Sequence, residues 1–120
     1  MATEDKCCSI APHFKVPEEN LAAFRELCER FVAASRKEPG CLYYGFSFNG
    51  NEAYCREGYA DAEALLAHVE NIGALLAEAM EISEVLSLEI HGPEEELAKL
   101  RGPLADHNAK FFTLECGFRN

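Results

Sequence analysis

The sequence predicts an α+β fold, with an antiparallel sheet carrying two long helices on one face. Three features of its 120 residues predict it. Short runs of two-residue alternation are separated by two long runs of helical periodicity. An Asn-Gly pair stands between two aromatic-rich runs. No apolar run approaches the ~20 residues of a membrane span. A chain of this size is expected to form one domain over 1–120, with no linker or low-complexity segment dividing it.

Residues 7–16 (CCSIAPHFKV) alternate as a first strand, with Cys8, Ile10, Phe14 and Val16 on one side. Pro17 suits a first helical turn, where Glu18 and Glu19 complement the helix dipole. Leu21, Phe24, Leu27, Cys28, Phe31, Val32 and Ser35 then recur at helical spacing. That helix must stop near Lys37, because Pro39 restricts Glu38 and Gly40 follows. The runs 41–48 (CLYYGFSF) and 52–59 (EAYCREGY) flank Asn49-Gly50 and read as a hairpin closed by a type I′ turn. Asp61 is placed to N-cap a second long helix, whose stripe runs from Ala62 through Leu65, Leu66, Val69, Ile72, Gly73 and Leu76 to Met80. Residues 85–91 give a fourth strand, 94–101 a short helix ending at Gly102-Pro103, and 110–118 a fifth strand. The order β-α-β-β-α-β, then a short helix and a last strand, is ferredoxin-like.

A two-residue turn at Asn49-Gly50 sets Leu42 opposite Glu57, Tyr44 opposite Cys55 and Phe46 opposite Ala53. With Phe48 and Tyr59 these form the more apolar face, expected under the helices. Cys41, Tyr43, Gly45, Ser47, Tyr54 and Arg56 take the other face, which no helix covers. An uncovered face with two tyrosines is a contact surface, and a homodimer with sheet against sheet is the economical solution.

Composition narrows the function. A net charge of −10, with Arg25, Arg30, Arg36 and Lys37 interleaved among glutamates, repels phosphate backbones and anionic lipids. Nucleic acid and membrane insertion are therefore not expected. The acidic start Met-Ala-Thr-Glu-Asp-Lys lacks an apolar core, so the expected location is cytoplasmic. The six cysteines show no C-x-x-C spacing and read as reduced thiols, mostly small core fillers. No metal is expected from such spacing.

Glu57 and His68 are the candidate catalytic pair. The hairpin register turns Glu57 inward, where an ionised carboxylate is costly unless paired or wet. His68 lies about 90° from the centre of the apolar stripe, on the helix flank. The two can converge on one small cavity with Tyr59, and Tyr59, Tyr44, Phe46 and His13 form the candidate substrate-binding set. His13 and His91 fall on neighbouring antiparallel strands about 13 Å apart, too far to share a metal ion. His107 is a loop residue with no visible partner.

Pro39-Gly40-Cys41, the Asn-Gly hairpin and the run from Glu57 to His68 (EGYADAEALLAH) together resemble the antibiotic biosynthesis monooxygenase domain. The resemblance covers roughly residues 8–92. It implies a dimeric α/β barrel, with a pocket between sheet and helices in each subunit and a last strand that often reaches to the partner. It also implies oxidation of phenols or quinols by O₂ without flavin or metal, with Glu57 and His68 at the motif's acidic and imidazole positions. Cys55 and Tyr59 stand where some catalytic members carry Asn and Trp. Ala79-Met80-Glu81-Ile82-Ser83 stands where haem-degrading members carry a proximal histidine. The resemblance supports a cofactor-independent oxygenase or quinol oxidase acting on a small aromatic. The alternative is a non-catalytic dimeric module that binds a ligand or partner. The module should lack a cavity of ~300 Å³ or more near His68.

Overall fold

The computed structural model describes residues 4–120. The reading of the N-terminus falls partly on residues 1–3, outside the described residues. The elements run β1 (Cys8–Lys15), α1 (Leu21–Arg36), β2 (Cys41–Asn49), β3 (Glu52–Tyr59), α2 (Ala62–Asn71), α3 (Gly73–Ile82), β4 (Glu84–Gly92), α4 (Glu94–Arg101) and β5 (Lys110–Thr113). Single 3₁₀ turns lie at Glu18–Asn20 and Ala105–His107. The sheet order is β2-β3-β1-β4-β5. The first four strands are antiparallel, and β5 joins β4 in parallel, so the sheet is open and ferredoxin-like. Among the described residues, no helix is long and apolar enough to cross a membrane.

Alternation along the strands builds the core. Cys8, Ile10, Phe14 and Val16 all point inward and are buried. One cluster gathers Tyr59, Leu65, Ile90, Leu97 and Leu100 around α2 and α4. A second gathers Phe14, Phe24, Phe31, Ile72 and Ala79 around α1 and α3. Full burial of each large apolar side chain stabilises by about 1.5–3 kcal/mol.

Four readings change. The second long helix is two, because α2 ends at Asn71 and α3 begins at Gly73, with Ile72 between them at non-helical φ −101° and ψ 11°. An apolar stripe continues in phase across such a break, so periodicity alone does not expose it. The hairpin turn is Gly50-Asn51, displaced by one residue. Asn49 stays in the strand and pairs with Glu52, and Gly50 at φ +59° supplies the first central residue. Asn51 does not take positive φ, which matches a type II′ requirement rather than I′. The pairing therefore moves by two residues, to Phe48 with Ala53, Phe46 with Cys55 and Tyr44 with Glu57. An even shift leaves every side chain on its expected face.

A bulge between Cys41 and Tyr43 is the exception. It turns Cys41 into the core and leaves Leu42 outward, 43% exposed, reversing both assignments. Finally, β5 covers only Lys110–Thr113 and pairs with β4 of its own chain. All six cysteines are free thiols, with Cys8, Cys28 and Cys55 buried and Cys116 exposed.

A buried carboxylate–imidazole candidate site

The site is built where β3 passes beneath α2. Ala53, Cys55, Glu57 and Tyr59 alternate inward along β3, each at most 4% exposed. Helix α2 begins immediately after this strand because two carboxylates satisfy its free amides. Asp61 accepts from Ala64 N–H at 2.9 Å, and Glu96 of α4 accepts from Ala62 N–H at 2.9 Å. Gly40 lets the helix settle close to the α1–β2 loop, since a Cβ there would lie 2.4 Å from Ala64 Cβ.

His68 is thereby fixed over Glu57. It is 3% exposed, and so is buried rather than at the margin with solvent. Its ring lies 4.9 Å from that of Tyr59 and 5.4 Å from that of Tyr44. The flank position is buried because α2 sits in an angle, with the sheet below and the α1–β2 loop beside it. Nε2 approaches Glu57 Oε1 at 3.3 Å, and the same oxygen accepts the Tyr59 hydroxyl at 2.5 Å.

Sequence reasoning missed the second acid at the imidazole. Glu38, in the α1–β2 loop, presents its two oxygens to His68 Nδ1 at 3.0 and 2.9 Å. Asn71, one turn beyond His68, donates to Glu38 Oε2 at 2.8 Å and to the Ala34 carbonyl at 3.3 Å. The signal available was the acidic residue directly before Pro39-Gly40, which reads as a loop residue until the helix is placed against it.

Burial sets the protonation. It lifts the Glu57 carboxyl from 4.5 to about 7, with the Tyr59 and Cys55 hydrogen bonds opposing and the Glu38 charge adding to the rise. It lowers His68 below 6.5, although Glu38 pulls the other way. Near pH 7 the imidazole is therefore neutral, and the Glu57 carboxyl stands close to its midpoint between acid and carboxylate. Burial also pushes the Tyr44 and Tyr59 hydroxyls and the Cys55 thiol well above their ordinary ranges, so none of the three is a ready base or nucleophile.

Glu57 and His68 line a cavity of about 200 Å³ between the two core clusters. Its wall is mostly apolar, with Tyr44, Phe46, Phe31 and Ile72 among the lining residues, and no Lys or Arg lines it. Met80, Asp106 and His107, all exposed, also line it. Tyr59 does not line the cavity and instead supports Glu57 from behind. His13 does not line it either. It lies on the open face, stacked on Tyr54 at 4.1 Å and 2.7 Å from Glu52. Pro12 lies between inward Ile10 and Phe14, so strand parity directs His13 outward. Among the described residues, no three His, Cys, Asp or Glu side chains are arranged to hold a metal ion.

Fold and site together define a ferredoxin-like protein with an acid–imidazole pair enclosed between sheet and helices. The family model for antibiotic biosynthesis monooxygenases matches residues 10–79, and the chain belongs to that family. It is similar to MupZ from Pseudomonas fluorescens, with 48% identity, all of this chain and 94% of that one covered, and a TM-score of 0.95. It shares its fold with Rv0793 from Mycobacterium tuberculosis, at 22% identity, 72% and 94% coverage and a TM-score of 0.67. It also shares its fold with SnoaB, a cofactor-independent oxygenase from Streptomyces nogalater, at 14% identity, 71% and 90% coverage and a TM-score of 0.62. A search of curated proteins gave no match.

Proposed function

We propose that this chain oxidises a small, uncharged, hydroxylated aromatic with O₂, using Glu57 and His68 for proton transfer and no cofactor. The observation that carries this reading is the buried Glu57–His68 contact of 3.3 Å on the wall of an apolar cavity. An apolar cavity of about 150 Å³ accepts benzene, so about 200 Å³ suits one ring rather than several. Without a lining cation, a carboxylated or phosphorylated substrate gains no counter-charge inside. Tyr44 and Phe46 would line the ring.

A phenol becomes electron-rich when it loses its proton, and the resulting phenolate can itself reduce oxygen. His68, or Glu57 when ionised, takes that proton. In quinol oxidation two electrons pass to O₂, two protons follow, and quinone and hydrogen peroxide leave. Membership of the family and the fold shared with SnoaB support the oxygen chemistry. In the same reading two copies meet through the open sheet face, where Tyr54 and Phe112 are each 43% exposed.

Oxygen uptake with single-ring phenols and hydroquinones tests the function. His68→Ala is expected to lower the rate by about 10²–10⁴-fold, the usual contribution of a positioned acid or base. Equal rates in wild type and variant would remove the site assignment. One observation favours a second reading, a non-catalytic ligand-binding module, because the cavity is below ~300 Å³. Ring binding with no oxygen uptake across the panel would establish that module.

A further inference from the structure

The proposed chemistry needs a proton to leave and re-enter a pair of groups that are almost fully enclosed. Glu57 and His68 are 4% and 3% exposed, and the Tyr59 behind them is fully buried. The Glu38 side chain, at 11%, is less enclosed than either and lies on the opposite side of the imidazole from Glu57. We propose that Glu57, His68 and Glu38 form a proton path between the cavity and the solvent, with Glu38 as the positioning residue at its outer end.

Four features of the geometry support the path. The two ring nitrogens are divided between two carboxyl groups, Nδ1 facing Glu38 at 2.9 Å and Nε2 facing Glu57 at 3.3 Å. Glu38 carries no proton to give to Nδ1 when ionised, so it accepts from Nδ1–H and fixes that tautomer. Nε2 is then bare and aimed at the Glu57 carboxyl. Asn71 and His68, three residues apart on α2, both hold Glu38, so the carboxylate cannot turn away without losing two donors.

The proton balance is simple. A substrate proton reaches Nε2, directly or by way of Glu57, which passes a proton on to Nε2; the Nδ1 proton passes to Glu38, and Glu38 releases it to water. One proton enters the path and one leaves, no electron moves, and the ring ends as the opposite tautomer. A proton returning inward restores the first. In quinol oxidation the oxygen product takes up as many protons as the quinol loses, so outward and inward transfers alternate. The 3.3 Å contact is longer than a tight transfer distance of about 2.6–3.2 Å, and such contacts shorten when a substrate closes the site. The groups facing the imidazole are Glu38 from the loop, Glu57 and Tyr59 from β3, and Tyr44 from β2.

The inference rests on the site assignment made above, but its test needs no substrate. Imidazole ¹⁵N spectra of the whole chain at neutral pH are expected to show a neutral His68 protonated at Nδ1 in wild type. Glu38→Ala is expected to shift it towards the Nε2–H tautomer, and added formate, standing in for the missing carboxylate, is expected to shift it back. Glu38→Gln serves if the alanine variant does not fold, with a smaller shift in the same direction. A wild-type ring protonated at Nε2, or a tautomer unchanged by either variant, overturns the proposal. Where turnover is measurable, Glu38→Ala should lower kcat by about 10–100-fold with formate rescue. Loss without rescue marks a merely structural role and also overturns the proposal. An Nδ1–H tautomer that responds as expected in a protein without oxygen uptake would leave the path standing and remove the oxidase reading.

Discussion

Glu57→Gln separates the electrostatics of the site from its shape. In the folded chain the Glu57 carboxyl sits at about 7 against an ordinary 4.5, because burial disfavours its charge. The folded state therefore holds this proton more tightly than the unfolded state. The associated stability is fully present below about 4.5 and is lost as pH rises through about 7. The gap is worth about 3 kcal/mol, at roughly 1.4 kcal/mol per pH unit. His68 works in the opposite sense. Its value is lowered, so its contribution is present above 6.5 and lost on acidification. Glutamine reproduces the protonated acid: its carbonyl can accept from Tyr59 and its amide can donate to Nε2, and it does not titrate. Urea unfolding at about pH 5, 6, 7 and 8 is the assay. The variant should exceed wild type by under about 1 kcal/mol at pH 5 and by up to about 3 kcal/mol at pH 8. Parallel pH–stability curves would refute the claim that burial raises the Glu57 carboxyl in the folded chain.

Two further substitutions probe how the site is held. Gly40→Ala places a Cβ 2.4 Å from Ala64 Cβ on α2. It should cost about 1–3 kcal/mol in thermal or urea unfolding, as overpacking does. Its displacement of α2 should also lower any His68-dependent rate. Asp61→Ala removes the side chain that accepts from Ala64 N–H and should cost about 1 kcal/mol, measured by urea unfolding. Glu96 still satisfies Ala62, so α2 should keep its helical signal by circular dichroism.

Much of the fold was legible along the chain because strand and helix periods are local properties. The alternation of β1, the hairpin pair and the Asp61 cap each follow from a few neighbouring residues. Glu57 was placed inward correctly although the turn was assigned one residue too early. Side-chain direction depends on parity, and a shift of two preserves parity. The bulge at Leu42 does change parity, and it shows only in the pairing of β2 with β3. The α2–α3 break was hidden for a related reason, since helical phase can survive an interruption, and Gly73 was its sole local sign.

The sequence by itself determined a ferredoxin-like sheet with an inward acid on β3 and an imidazole on the following helix, because periodicity, turns and caps act over a few residues. Only the tertiary structure decided that His68 is buried, that Glu38 is its partner and that His13 faces away from the cavity. Glu38 and His68 are 30 residues apart, and their contact depends on how α2 packs beside the α1–β2 loop. No local rule carries information over that distance; packing does.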